Sequence, residues 1–171
     1  MNADDFAAQL ENCIPPQSAY AGLSEEAAAR FRASYLCRRI SRGAETDPLL
    51  DLCTNFDLST LEMTSITLCS PYELNAQYWI IGKDEVDPIV YPKAGGVVSL
   101  RDHTSLDWQI NLCALTGDGF LSAMLAAVRY YTYIIVNPEQ EITAKVKALE
   151  ECLSFAGRDC ESYYRIVLNV D

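Results

Sequence analysis

The sequence predicts an α+β protein, with antiparallel strands in the middle of the chain and helices at both ends. Apolar residues recur at helical spacing near the N-terminus and again beyond residue 118. Between these regions, short runs rich in β-branched and aromatic residues alternate with turns that contain glycine or proline. Runs of strands beside runs of helices are typical of α+β folds. We therefore expect an antiparallel sheet of about four to six strands, flanked by N-terminal and C-terminal helices.

The N-terminal third contains two predicted helices. The first spans residues 3–13 and ends before two prolines. The second begins after Ser24, whose side chain is suited to capping, and is predicted to end at Gly43. Residues 49–53 are apolar but few, so they fit either a helical turn or a short strand.

The central region carries the strand signals. Several short runs combine β-branched or aromatic residues with turn residues on either side. These runs are residues 64–69, 77–82, 88–91, 97–100 and 106–110. The turn before residue 97 contains Gly95 and Gly96, which predicts an antiparallel hairpin.

The C-terminal third returns to helical spacing. Asp118 is placed to cap a helix that ends before Asn137 and its following proline. A second helix, ending at Gly157, carries an apolar stripe that we expect to face the core. The stripe consists of Ile142, Val146, Leu149 and Leu153. The last segment, residues 163–170, fits either a helix or a strand.

Length and composition indicate a folded chain with a substantial core. At 171 residues, half of them apolar, the chain is expected to form one domain over residues 1–171. We expect residues 1–20 to add a peripheral N-terminal helix to this domain.

The net charge of −11 is concentrated in the middle of the chain. Residues 43–128 hold twelve acidic and three basic residues, a net charge of −9. Such a field repels nucleic acid and attracts a basic protein. Solubility alone would also account for an acidic composition, so the charge by itself leaves both interpretations open.

The cysteines and the N-terminus indicate a reducing, cytoplasmic location. Seven cysteines occur without a C-x-x-C pair, which argues against a disulfide framework and a zinc ribbon, and predicts buried free thiols. The first residues include Asp4 and Asp5, where a signal peptide carries positive charge. The apolar run 120–136 is short for a membrane span and is interrupted by Arg129.

The residue types that carry catalysis or bind metals are sparse. The only histidine, His103, lies in a polar stretch after a predicted strand, as expected for a surface loop. The acidic turn that begins at Asp84 lacks the spacing of a calcium loop, and Gly95-Gly96 lacks the residues of a phosphate cradle. We therefore expect no catalytic activity, no metal and no cofactor. The alternative left open is a small enzyme or ligand-binding domain that uses His103 with Cys69 or Cys113.

One segment of the chain resembles a known family. Tyr-Trp-Ile-Ile-Gly at 78–82 is followed by Asp-Pro-Ile-Val at 87–90, Gly-Val-Val at 96–98 and Phe-Leu at 120–121. In order and spacing this segment resembles the SUKH superfamily, whose members show a strand ending in Ile-Gly, an Asp-Pro-Ile strand, a Gly-x-Val strand and a helix opening with Phe-Leu. The turn at 83–86 lacks the family's glycine, and residues 115–119 also depart from its pattern.

The resemblance implies a function by binding. Bacterial SUKH proteins are mostly immunity proteins, which neutralise a cognate toxin, often a nuclease, without catalysis. The family's eukaryotic branch implies the alternative of an interaction adaptor with no toxin partner. The acidic middle of the chain suits the first role, because a nuclease toxin carries a basic substrate groove.

The expected contact surface follows from turn placement and charge, since the toxin-facing surface varies within the family. We expect it to combine exposed carboxylates with an aromatic anchor. The predicted binding residues are Asp84, Glu85, Asp87, Asp102, Asp107 and Trp108. The partner is predicted to be a basic protein, with neither nucleic acid nor membrane as a ligand.

Overall fold

The computed structural model describes residues 1–43 and 45–170, and it confirms the α+β class, with helices before and after the strands of an antiparallel sheet in the chain. The helices are α1 (Ala3–Glu11), α2 (Glu25–Ala33), α3 (Pro48–Asn55), α4 (Gly117–Val136), α5 (Glu141–Ala156) and α6 (Glu161–Val167). The strands are β1 (Arg38–Arg39), β2 (Phe56–Asp57), β3 (Ile66–Glu73), β4 (Tyr78–Asp84), β5 (Asp87–Pro92), β6 (Val98–Asp102) and β7 (Ser105–Ala114).

The main sheet is a five-stranded antiparallel meander in the order β3-β4-β5-β6-β7. Each strand pairs with its neighbour in sequence, as expected for short connections. The predicted strand runs at 77–82, 88–91 and 97–100 correspond to β4, β5 and β6. A second sheet pairs β1 with β2.

Helix α4 lies at the centre of the core. Phe120 and Leu121, which open it, are fully buried, and the helix contacts α1, α3, α5 and β7. By length and composition α4 could cross a membrane, but 61% of its most apolar window is buried inside the protein. Its N-cap is Thr116, which accepts a hydrogen bond from the Gly119 backbone N–H, where the sequence suggests Asp118.

The face of the main sheet that points away from the main core has a small apolar cluster of its own. Ile80 and Val90 pair across β4 and β5 and are buried outside the main core. Strand alternation puts Tyr78 and Arg101 on this same face, where the guanidinium carbon lies 5.1 Å from the Tyr78 ring centre. The Arg101 side chain thereby covers part of this face.

Helix α2 is shorter than predicted, since it ends at Ala33 and not near Gly43. Past this point the chain enters β1, where Arg39 is held by Asp4 and Asp51. Its Nε donates to Asp4 at 2.9 Å and one Nη donates to Asp51 at 2.7 Å. These contacts join residues distant in sequence, so helical spacing alone could not reveal where α2 ends.

Helix α1 packs into the core, and the predicted peripheral position is wrong in this respect. Phe6 and Leu10 are fully buried, and α1 contacts α3 and α4. The helix α4 buries residues on more than one of its sides. The apolar stripe of α1 packs against one of these sides and completes the core there.

Helix α5 departs from the predicted stripe in its first half. Leu149 and Leu153 are buried, but Ile142 and Val146 are exposed. The apolar stripe therefore continues along the helix past the edge of the core.

Candidate acidic surface

Two turns at one end of the main sheet bring four predicted carboxylates together. Asp84 pairs with Asp87 across the β4–β5 turn, whose tip is Glu85 and Val86. The β6–β7 turn lies beside it, because the backbone N–H of His103 donates to Asp87 at 3.0 Å. Asp102 begins that second turn. We call Asp84, Glu85, Asp87 and Asp102 the acidic end of the sheet.

Glu85 adopts a backbone conformation that favours glycine. Its φ is 52°, in the left-handed region that costs a residue with a side chain about 1–2 kcal/mol. Glu85 lies in the turn at 83–86, which contains no glycine. The local geometry therefore matches a glycine turn, although a glutamate occupies it.

The β4–β5 turn is anchored to the start of β3. The Glu85 backbone N–H donates to the Ser65 carbonyl at 3.1 Å, and the Ser65 hydroxyl donates to the Asp84 carboxylate. Asp87 also contacts the imidazole of His103, with 2.7 Å between Oδ1 and Nδ1. These contacts hold the two turns and the start of β3 together as one unit.

Asp102 organises the second turn through its carboxylate. Oδ1 accepts hydrogen bonds from the hydroxyl and the backbone N–H of Thr104 and from the backbone N–H of Ser105. The hydrogen bonds from Thr104 lower the pKa of Asp102, since they stabilise the charged form. This carboxylate remains ionised at neutral pH.

Asp107 and Trp108 lie on β7, close to the acidic end but outside its turns. Arg101 pairs with Gln109 and Asp102 with Ser105, so residues 106–108 bulge out of the β6–β7 ladder. Both side chains are exposed, and Trp108 is 69% exposed. The structure therefore places all six predicted residues on neighbouring turns or on the bulge that follows them.

Arg101 is part of this surface, although the sequence analysis did not select it. Its Nη1 donates to the Leu106 carbonyl at 3.1 Å, which fastens the start of the bulge to β6. Its Nε is buried without a hydrogen-bond partner. No sequence signal marked this arginine, which lies one position before a predicted turn aspartate. Its role depends on the register of β7, which the sequence does not reveal.

The acidic end keeps its negative charge. Among the described residues, no lysine or arginine forms an ion pair with Asp84, Glu85, Asp87 or Asp102. The hydrogen bonds that these carboxylates accept come from hydroxyl groups, backbone N–H groups and His103.

The residues of the alternative catalytic site differ in their exposure to solvent. The His103 side chain is 53% exposed in the β6–β7 turn and contacts Asp87. Cys113 is fully buried in the core, and burial raises the pKa of its thiol well above the usual value. Cys69 is half-buried on β3, and burial raises the pKa of its thiol too. Raised pKa values keep both thiols protonated and weakly nucleophilic.

One cysteine is expected to react with a thiol reagent much faster than the other six. Six cysteines are buried and Cys69 alone is half-buried. Burial raises the pKa of Cys37 and of Cys152 to about 12. Titration of the native protein with Ellman's reagent should therefore detect at most one thiol within minutes, and all seven after unfolding in guanidinium. A Cys69→Ser variant should lose the native signal. Rapid reaction of two or more native thiols would contradict this expectation.

Two further concave sites are shallow clefts. One, of about 320 Å³, lies between α4 and α5 and is lined by Arg129, Tyr133 and Lys147 among others. Another, of about 310 Å³, lies between α3 and β3 beside Trp79. Within the described residues, no group of three or more histidine, cysteine or acidic side chains is placed to hold a metal ion.

Comparisons with known proteins identify no relative: no family model, curated protein or solved structure matches this chain. The SUKH resemblance of residues 78–125 stays a prediction.

Proposed function

We propose that this chain is an immunity-type protein of the SUKH superfamily that binds and neutralises a basic protein toxin through the acidic end of its sheet. The observation that carries the proposal is the convergence of Asp84, Glu85, Asp87 and Asp102 in two adjacent turns, where no lysine or arginine of the described residues forms an ion pair with them. The action is stoichiometric binding and requires no catalytic group.

Charge complementarity supports a basic partner. A concentrated negative surface raises the rate of encounter with a positively charged protein and disfavours acidic ligands such as nucleic acid. A nuclease toxin needs a positive groove for its own substrate, so it offers the complementary surface. Covering that groove would block the toxin directly.

Preorganisation supports binding by the same turns. The β4–β5 turn is fastened to Ser65 and the β6–β7 turn to Asp87, so little conformational entropy remains to be lost on association. Glu85 keeps a charged side chain at the tip, where glycine would relieve the backbone strain. Strain retained at an exposed acidic position is typical of functional turns.

Trp108 supports an apolar anchor beside the charges. A large aromatic side chain that is mostly exposed next to a charged rim resembles the centre of a protein interface, where tryptophan is enriched. The bulge presents this side chain at the open edge of β7.

Co-expression with the product of the adjacent open reading frame tests the proposal. Induction of that product alone should arrest growth, and co-expression of this chain should restore it. The purified proteins should form a 1:1 complex whose affinity falls as salt is raised, because screening weakens the contacts. A neighbour that is not toxic, or a toxic neighbour that does not bind this chain, would refute the proposal; the first outcome would favour the adaptor alternative.

A further inference from the structure

An open cleft of about 320 Å³ runs between α4 and α5, and both helices contribute to its lining. We call it the α4–α5 cleft. The buried part of its lining is apolar and consists of Ala126 and Tyr130 on α4 and Ala148 on α5. Because alanines occupy two of these positions, the space between the helices stays unfilled. Its volume lies within the range of small-molecule sites, roughly 300–1,000 Å³.

Hydrogen bonds hold two of the side chains that line the cleft. At the end near the connection between the two helices, the Tyr133 hydroxyl donates to the side-chain oxygen of Gln140. On α4, the guanidinium of Arg129 donates through Nη2 to the side-chain oxygen of Gln9 at 2.6 Å. These side chains are therefore oriented before a ligand arrives, which reduces the entropy lost on binding.

Two cationic side chains line the cleft, one from each helix. The Lys147 ammonium on α5 forms no ion pair or hydrogen bond with any other residue in 1–43 or 45–170. Nη1 of Arg129 lies 3.7 Å from the Glu151 carboxylate, which is too long for a hydrogen bond. Among the described residues of the lining, Glu151 alone is acidic. The lining is therefore net positive, on a chain whose net charge is −11.

We propose that the α4–α5 cleft binds an aromatic organic anion. The ring lies against Tyr130 and the alanine floor. The carboxylate, sulfonate or phosphate group lies between Arg129 and Lys147. An apolar cleft with a few polar groups that fix the orientation of the ligand is typical of small-molecule sites. An inorganic anion would leave the floor uncovered, and a neutral ring would leave both cations without a contact. These residues are separate from the acidic end, so the inference goes beyond the proposed function.

Fluorescence titration with anilinonaphthalene sulfonate tests the charge requirement, because this dye joins an aromatic body to one anionic group. The full chain at neutral pH should bind one dye molecule per chain, with saturation. Lys147→Glu should raise the dissociation constant by about tenfold or more, since it replaces an attraction with a repulsion. Lys83→Glu is the matched control, because Lys83 is an exposed lysine on β4 and the change in net charge is the same. It should change the dissociation constant by less than about twofold.

The neutral analogue phenylnaphthylamine, which lacks the sulfonate, separates the effect of charge from that of apolar contact. Its affinity should be equal for the wild type and Lys147→Glu, because it offers no charge to the lysine. Ala144→Phe tests the cleft itself, since Ala144 is a half-buried residue of the lining and the added ring would occupy the space of the ligand. This variant should lose the binding of both compounds while its circular dichroism stays that of the wild type.

Competition for the dye at constant ionic strength distinguishes two kinds of aromatic anion. Indole acetate is an aromatic carboxylate, and adenosine monophosphate is an aromatic phosphate. At least one of them should displace the dye at millimolar concentration. Sodium phosphate, which has no ring, should not displace it.

Several outcomes would overturn the proposal. Dye binding that does not saturate, or that Lys147→Glu and Lys83→Glu weaken equally, would exclude a specific cationic site. Dye binding that survives Ala144→Phe in a folded protein would place the dye outside the cleft. Displacement by sodium phosphate, or by neither aromatic anion, would contradict the proposed ligand class.

Discussion

Reversing the charge of Asp84 and Glu85 together is expected to weaken toxin binding by about 100-fold or more at low salt. Each lysine replaces an attraction to the basic partner with a repulsion, and both side chains lie at the β4–β5 turn of the acidic end. The loss should appear mainly in the association rate and should shrink as salt is added. Surface plasmon resonance between about 50 and 500 mM salt measures both effects.

The matched control reverses Glu11 and Glu62, which are exposed and lie outside the acidic end. It changes the net charge by the same amount, so it removes any effect that total charge alone produces. Equal weakening by both double variants would leave the acidic end without a specific role. Unchanged affinity of the Asp84→Lys/Glu85→Lys variant would remove this surface from the proposed interface.

Replacing Asn55 by alanine is expected to lower the free energy of unfolding by about 3 kcal/mol. Asn55 is buried, donates to Asp51 at 2.7 Å and accepts from the Ser41 hydroxyl and from the Gly43 backbone N–H. Alanine removes all three hydrogen bonds and leaves Ser41 and Gly43 without this acceptor. Urea denaturation measures the loss.

Asn55→Asp should give a deficit that depends on pH. Its carboxylate would be buried beside Asp51, so its folded pKa would lie above the unfolded value of about 3.9. A raised carboxyl pKa costs stability only when the group ionises, so the deficit relative to wild type should grow as the pH rises from about 4.5 to 7.

The wild-type protein changes in the opposite direction in acid. The hydrogen bond from Arg39 lowers the pKa of Asp51, so the stability that this pair contributes is present above the unfolded value and is lost as the pH falls through the folded one. Measurements above about pH 4.5 therefore isolate the effect of the Asn55→Asp substitution. Thr54→Asp, at an exposed neighbouring position, is the control and should show little pH dependence. A deficit that is equal at every pH would contradict the expected repulsion.

Local patterns were sufficient to locate most elements of this fold. The strands β4, β5 and β6 were predictable because β-branched runs are separated by turns with glycine or acidic residues. The long helix α4 was predictable because its apolar spacing continues until a proline. In each case the signal lies within a few residues of the element itself, which is the range over which propensity acts.

Elements whose limits depend on distant residues were predicted less well. Helix α2 ends at Ala33, and the chain then enters β1, where Arg39 joins Asp4 and Asp51, residues far from it in sequence. The stripe of α5 was correctly identified as apolar. Its periodicity could not show that the core reaches Leu149 and leaves Val146 exposed. The role of Arg101 was missed because it depends on the bulge that follows residue 105.

The sequence by itself determined the α+β class, the order of helices and strands, and the excess of acidic residues in the central region. These properties depend on residue spacing and composition, which the chain carries whether or not it is folded. Only the tertiary structure decided that four carboxylates meet at one end of the sheet, that Trp108 projects beside them, and that Ile142 is exposed. Strand register, bulges and the extent of the core set those positions, and they arise from contacts between residues far apart in the chain.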